Sequence, residues 1–357
     1  MKLNKLIASI IIFSSIVIQA CGGGNGNNDM SSTSENVNPE IFGKIFIGNR
    51  SGPWILDLKT GDYSPIPNTD WSESNPYHGL ADFSAFPLSF SGSEFVETIS
   101  DCYIEFGNNK DCIVFHDNNG QILGQFQLPN ITFGPARLSR DSEFVGVVVK
   151  NENRSASEPF FILNVYDRNG VRQGGVNNRE IEPNNFDWMS INQVVYVSGQ
   201  SIYISNQVEP LLTIDISQGV PGEPAVSPDG TQIAFVIGED TTKGVTGTIW
   251  AMNIDKTGLR QLTLADPNYN PSITKHRTPI WSPDGKWIFV TDKTSAGGNA
   301  YVIPSQAEKV RLTQTTSTVA KPVNSYFLKT IISSYSTDPI VLDNTFGIDN
   351  GSIAWLP

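Results

Sequence analysis

Pro224-Ala225-Val226-Ser227-Pro228-Asp229-Gly230 precedes Ile233-Ala234-Phe235-Val236, and the phrase returns as Pro279-Ile280-Trp281-Ser282-Pro283-Asp284-Gly285 before Trp287-Ile288-Phe289-Val290. In each copy an apolar stretch runs into a turn where proline presets φ and glycine accepts a positive φ, and a second β-rich stretch follows. Each copy therefore predicts a β-hairpin. Hairpins repeated at intervals of about 40 to 50 residues point to the blades of a propeller rather than to a sandwich.

Weaker copies emerge when the spacing of apolar positions is kept. Trp188 through Val197 aligns with Trp281 through Val290 without a gap. Ser89 through Val96 keeps the turn glycine, Leu138 through Val145 keeps the Asp with one residue fewer, and Val323 through Ile332 is the faintest copy. After each hairpin a third strand, a turn and an outer fourth strand are expected. Thr248 through Asn253 with Leu259 through Thr263 is the model for this, followed by Ala300 through Ile303 with Lys309 through Thr313, and Phe161 onward to Gly170.

The ends complement each other. Lys44 through Gly48, Trp54 through Leu58 and Tyr63 through Pro67 supply the second, third and fourth strands of a blade without a first strand, and Ser352 through Pro357 reads as that first strand. Joining them predicts an all-β, seven-bladed ring over residues 43–357 with no exposed sheet edge at the join.

S-P-D-G hairpins followed by an apolar third strand and the fourth strand Arg260-Gln261-Leu262-Thr263 resemble the TolB-type propeller family, also described as WD-like repeats of the Pro-Asp kind. The resemblance implies the fold. It does not extend to TolB's own partner binding, because TolB carries a further domain before its propeller and this chain has a polar leash there. Fold alone does not fix function.

Residues 1–20 read as a signal peptide: Lys2 and Lys5 precede an apolar run from Leu6 to Ile18 that is too short to span a bilayer. The run ends at Ile18-Gln19-Ala20-Cys21, which resembles the lipobox of bacterial lipoproteins and implies acylation of Cys21. Gly22 in place of an Asp after that cysteine implies the outer membrane, and hence a lipid-anchored protein of the bacterial cell envelope. Residues 21–42, beginning Gly22-Gly23-Gly24-Asn25-Gly26-Asn27-Asn28, have almost nothing apolar to bury and are expected to form a flexible linker.

With Cys21 assigned to lipid, only Cys102 and Cys112 remain. They could meet across a hairpin loop, adding about 2 to 3 kcal/mol in an oxidising compartment; two reduced thiols are the alternative. No metal-ligand spacing occurs, the chain has three His, and no metal or cofactor is expected. A formal charge of -12 without a basic run argues against nucleic acid. No G-x-S-x-G elbow is present, which sets serine peptidase chemistry aside.

His116 falls on an expected third strand and reads as a hydrogen-bonded structural residue. His78 and His276 fall in the long connections that join one blade's outer strand to the next blade's inner strand, together with Trp71, Tyr77, Tyr269 and Arg277. Loops held on a rigid scaffold, carrying amphipathic rings and a planar cation, suit a protein or glycan partner. The expected function is thus non-catalytic binding through the loop face. The alternative is a carbohydrate-active enzyme of the oligogalacturonate lyase kind using His78, His276 and Arg277, which requires these groups to converge.

Overall fold

The computed structural model describes residues 43–49, 52–57, 63–67, 88–91, 93–99, 111–129, 132, 134, 136–152, 154–190, 193–239, 246–264, 275–294, 297–311, 326–327 and 353–357. Among the described residues the antiparallel strands fall into six successive meanders, the last two joined into one eight-stranded sheet where Gly247 pairs with His276. The first contains Lys44–Asn49, Gly52–Asp57 and Tyr63–Pro65; the second Leu88–Ser91, Glu94–Ile99, Cys112–Asp117 and Ile122–Gln127. The third contains Arg137–Leu138, Phe144–Lys150, Phe161–Asp167 and Arg172–Val176; the fourth Phe186–Ser190, Gln193–Ser198, Ser201–Ile204 and Leu212–Thr213. Val220–Val226, Gln232–Glu239, Thr246–Asn253 and Arg260–Gln261 form the fifth, and Lys275–Trp281, Trp287–Thr294 and Gly297–Pro304 the core of the sixth. These are the meanders of a β-propeller.

The terminal strands meet. Ile353–Leu356 pairs antiparallel with Lys44–Asn49, in the register Lys44 to Leu356, Ile45 to Trp355 and Phe46 to Ala354. Inner strands of successive units lie side by side, and Lys275–Trp281 also approaches Ile353–Leu356.

Packing follows from the period of two along a strand. Val145, Val147 and Val149 face Val96, Ile113, Phe115 and Phe126 of the second unit. Val148, on the opposite face, joins Phe186, Trp188, Val194 and Tyr196 of the fourth. Val195 and Val197 meet Ile233, Phe235 and Ile237, while Ala234 and Val236 turn to Trp281, Ile288 and Val290. In these hairpins of the third to sixth units the described side chains are buried on both faces, so the segments read as continuous apolar runs.

The hairpin turns explain the repeated phrase. Ser227 Oγ donates to Asp229 Oδ1 at 2.6 Å and accepts from the Gln232 amide at 2.9 Å, and Gly230 sits at φ 72°. Ser282, Asp284 and Trp287 repeat both bonds, with Gly285 at φ 70°. Ser139, Asp141 and Phe144 do so again at 2.6 and 2.9 Å, with Ser142 at φ 62° in the glycine place. The expected loss of one residue in this third copy is thereby corrected: the turn is complete, and a serine carries the left-handed conformation.

Other expectations change as well. Val310–Arg311 does not add a fourth strand to its own unit; it pairs in parallel with Thr263–Leu264. Tyr326–Phe327, expected to open a hairpin, instead pairs with Tyr301 and Val302 of the sixth unit's third strand. The rest of that faint copy lies outside the described residues, as do the leader, the linker, Cys21 and Cys102.

Candidate functional site

The inner strands of the third, fourth and fifth units bring three charged residues together. Arg137 Nη1 lies 3.7 Å from Asp187 Oδ1, and Arg137 Nη2 donates to the Asn184 carbonyl at 3.4 Å. Its guanidinium also stands 5.5 Å from the Phe186 ring centroid. Burial pulls the Arg137 guanidinium below its ordinary value, and the charges of Asp187 and Glu223 push it back up.

Asp187 joins two neighbours, since its Oδ2 accepts from the Val226 amide at 2.7 Å. Asn185 Oδ1 accepts from the Glu223 amide at 3.0 Å. Glu223 is 4% exposed and sits at φ 49° beside the register shift between Gly222 and Ala225. Asn184 is at φ 68°. A bulge re-aims a side chain at a small cost in pairing, and left-handed backbone at residues other than glycine is commonest at functional sites. Arg137 Nε and Asn184 Oδ1 are buried with no hydrogen-bond partner among the described residues.

Asn184 and Asn185 belong to the connection between Arg172–Val176 and Phe186–Ser190, so the cluster lies at the end of the inner strands where such connections run. The opposite end is tied together. Arg140, standing where the other turns have Pro228 and Pro283, donates to the carbonyls of Pro228, Ser227 and Val226 at 2.6, 2.7 and 2.9 Å. The third unit's turn is thereby fastened to the fifth unit's turn.

The sequence-chosen residues fall out as follows. Trp71, Tyr77, His78 and Tyr269 lie outside the described residues. His276 and Arg277 are on the inner strand Lys275–Trp281 rather than in a connecting loop, paired with Asp292 and Thr291. The proline-rich spacing before the turn reads as loop, yet a bulge between Arg277 and Ile280, matching the one in the fifth unit, keeps the segment in the sheet. By the repeat alignment Arg277 corresponds to Gly222, one step before the Glu223 position. Convergence of His78 with His276 is outside what is described.

His116 is on the third strand of its sheet, as expected. Nε2 lies 3.2 Å from Glu97 Oε2, Nδ1 lies 3.2 Å from the Gly120 carbonyl, and the ring stacks on Phe95 at 4.7 Å. Sequence reasoning missed the Arg137 cluster, although a signal existed: Arg137 and Asp187 occupy the position that the clear copies give to Ala225 and Ile280. Chemically the cluster presents a guanidinium, two carboxylates and amide groups, which suits hydrogen bonding to a hydroxyl- or amide-bearing surface. Among the described residues no group of three or more His, Cys, Asp or Glu is placed to hold a metal ion.

No family model matches this chain, and no curated protein matches it. Among solved structures it is similar to TolB from Acinetobacter baumannii, with 13% identity and a TM-score of 0.48 over 75% of this chain and 65% of that one. It is likewise similar to the periplasmic gluconolactonase of Pseudomonas aeruginosa, at 12% identity and a TM-score of 0.41 over 76% of this chain and 82% of that one. For the GH74 enzyme of Niastella koreensis the values are 12%, 0.46, 74% and 44%. The chain thus spans 65% of the length of the Acinetobacter TolB. Its own antiparallel meanders, not these distant likenesses, make it a β-propeller in fold.

Proposed function

We propose that this chain is a binding propeller of the bacterial cell envelope, engaging a protein or glycan through the face that carries the long connections. The observation that carries the reading is the meeting of Arg137, Asp187 and Glu223 from three successive inner strands, with Asn184 and Glu223 held in left-handed backbone. Arg140 ties the opposite end, which supports approach from the connection face.

The same proposal includes a ring closed by Ile353–Leu356. The pairing of Ile353–Leu356 with Lys44–Asn49 supports that closure, and the remaining blade of the seven expected falls on Val323 through Ile332, most of which lies outside the described residues. It includes a Cys102–Cys112 disulfide, supported by the burial of Cys112 at its strand's first residue, opposite Ile99. It includes acylation at Cys21 and attachment to the outer membrane, supported by the leader sequence.

The test is recovery of partners from the native envelope by the full chain, set against Arg137→Met and Glu223→Gln. Partners held by the parent and lost from both variants, at unchanged melting temperature, support the reading; equal recovery by all three removes it. Cys21→Ser tests anchoring separately, and sedimentation of that variant with membranes refutes the anchor.

A further inference from the structure

Single exposed apolar side chains are ordinary on a protein surface, but here they recur at one place in the repeat. Among the described residues the large ones are Ile122, Leu123, Val171, Val208, Ile216 and Leu259. All but Ile216 lie in, or directly after, the turn from a third to a fourth strand. Ile122 and Leu123 open the fourth strand of the second unit, and Val171, Val208 and Leu259 follow the third strands of the third, fourth and fifth. Val208 is 80% exposed, Ile122 64% and Val171 57%.

These tips share one end of the propeller. In an antiparallel meander the third-to-fourth turn lies beside the first-to-second turn, and hydrogen bonds join the two in three units: the Asn118 amide donates to the Ser93 carbonyl at 3.1 Å, Arg168 Nη1 to the Ser142 carbonyl at 2.9 Å, and the Ile254 amide to the Thr231 carbonyl at 3.0 Å. Between units, Lys256 Nζ donates to the Pro210 carbonyl at 3.1 Å, linking the turn of Leu259 to that of Val208. The Arg137 cluster belongs to the other end, as does Ile216, in the connection from the fourth unit to the fifth.

The chain enters its folded body at the end that carries the tips. Lys44 pairs with Leu356, the last residue of the inner strand, and with Asp57, whereas Asn49 faces Gly52 across the turn at the far end. Residues 21–42, read as a glycine-rich leash, span about 25 Å in root-mean-square terms and so hold the turn end toward whatever the leash is fixed to. A chain of charge -12 gains nothing from anionic lipid. Asp117, Asp167 and Asp255, on the same turns as the tips, accept turn amides. What these turns offer a bilayer is therefore apolar burial at the interface, raised in effect by the tether's high local concentration.

We propose that the third-to-fourth strand turns form a rim resting on the phospholipid surface, with Ile122, Val171, Val208 and Leu259 in contact with lipid and the connection face turned away from it. The inference rests on the reading of Cys21 as an acylated residue behind a leash.

The test uses the chain from Gly22 onward, whose residues 41–357 form a compact unit of their own. A hexahistidine tag before Gly22 binds it to phosphatidylcholine–phosphatidylethanolamine vesicles carrying nickel-chelating lipid, so orientation is read whether or not Cys21 is acylated in the cell. Val171→Cys, Val208→Cys and Ile216→Cys each carry a solvent-sensitive fluorophore, and the parent treated alike supplies the background from Cys102 and Cys112. Labels at 171 and 208 should shift to the blue and be quenched by nitroxide lipid severalfold more than the label at 216. Val171→Glu with Val208→Glu, at unchanged melting temperature, should bring quenching of a label at Leu259→Cys down to that at 216. Equal quenching at both ends, stronger quenching at 216, or none at either end overturns the proposal. Tips left unquenched by lipid but shielded by added envelope protein assign the rim to a protein and equally overturn it. Sedimentation of Cys21→Ser with cell membranes removes the acyl anchor alone, and the vesicle result still decides the rim.

Discussion

The indole N–H of Trp281 donates to the carbonyl of Ala225 at 3.0 Å, fastening the inner strand of the sixth unit to that of the fifth. Trp188 does the same to Arg137 at 2.9 Å, between the fourth unit and the third. The two tryptophans hold equivalent places in the repeat, so one side chain both fills the gap between blades and bonds the neighbouring backbone.

Replacing Trp281 by Phe keeps most of the buried area and removes the bond. Unfolding by urea should show a loss of about 1 kcal/mol, and Trp188→Phe should match it. Unchanged midpoints in both variants would mean that the indole bonds contribute nothing.

The left-handed residue of each turn gives opposite signs in two copies. Gly230→Ala places a Cβ at φ 72° and should destabilise by about 1 to 2 kcal/mol. Ser142→Gly relieves the same conformation at φ 62° and should raise stability by several tenths of a kcal/mol or more, net of the greater unfolded-state entropy of glycine. A loss of stability in Ser142→Gly would contradict the equivalence of the turns.

Asp229 links the turn to pH. Its carboxyl is held below the ordinary carboxylate value by the Ser227 hydroxyl and the Thr231 amide. A depressed folded-state value contributes stability that is present above the unfolded-state value and is lost as pH falls through the folded one. Thermal melts below about pH 4 should therefore fall less steeply for Asp229→Asn than for the parent. Parallel curves for the two proteins would exclude Asp229 as a source of acid sensitivity.

Deleting residues 353–357 removes the strand paired with Lys44–Asn49. The truncated chain should expose that edge, bury less of Phe46, and aggregate at concentrations where the parent stays dispersed. Light scattering during slow heating reads the difference, and coincident profiles would show that the terminal pairing is dispensable.

Much of the blade grammar was legible because its causes are local. Alternation along Ile233 to Ile237 and the Ser227-Pro228-Asp229-Gly230 turn depend only on neighbours in sequence, and the structure places both as the spacing predicts. The terminal pairing was legible for another reason: an unfilled first-strand place at one end matched a lone strand at the other. The fate of His276 and Arg277 was not, since whether a proline-bearing stretch leaves the sheet or bulges within it depends on the strand beside it.

By itself the sequence determined the repeat, the turn chemistry and which face of each strand is apolar, because strand period and turn conformation are set within a few residues. Only the tertiary structure decided that Arg137, Asp187 and Glu223 share one place, and that Arg140 reaches from one turn to another two units away. Those facts arise from the order of sheets around an axis, and charges brought together across blades leave no periodic trace along the chain.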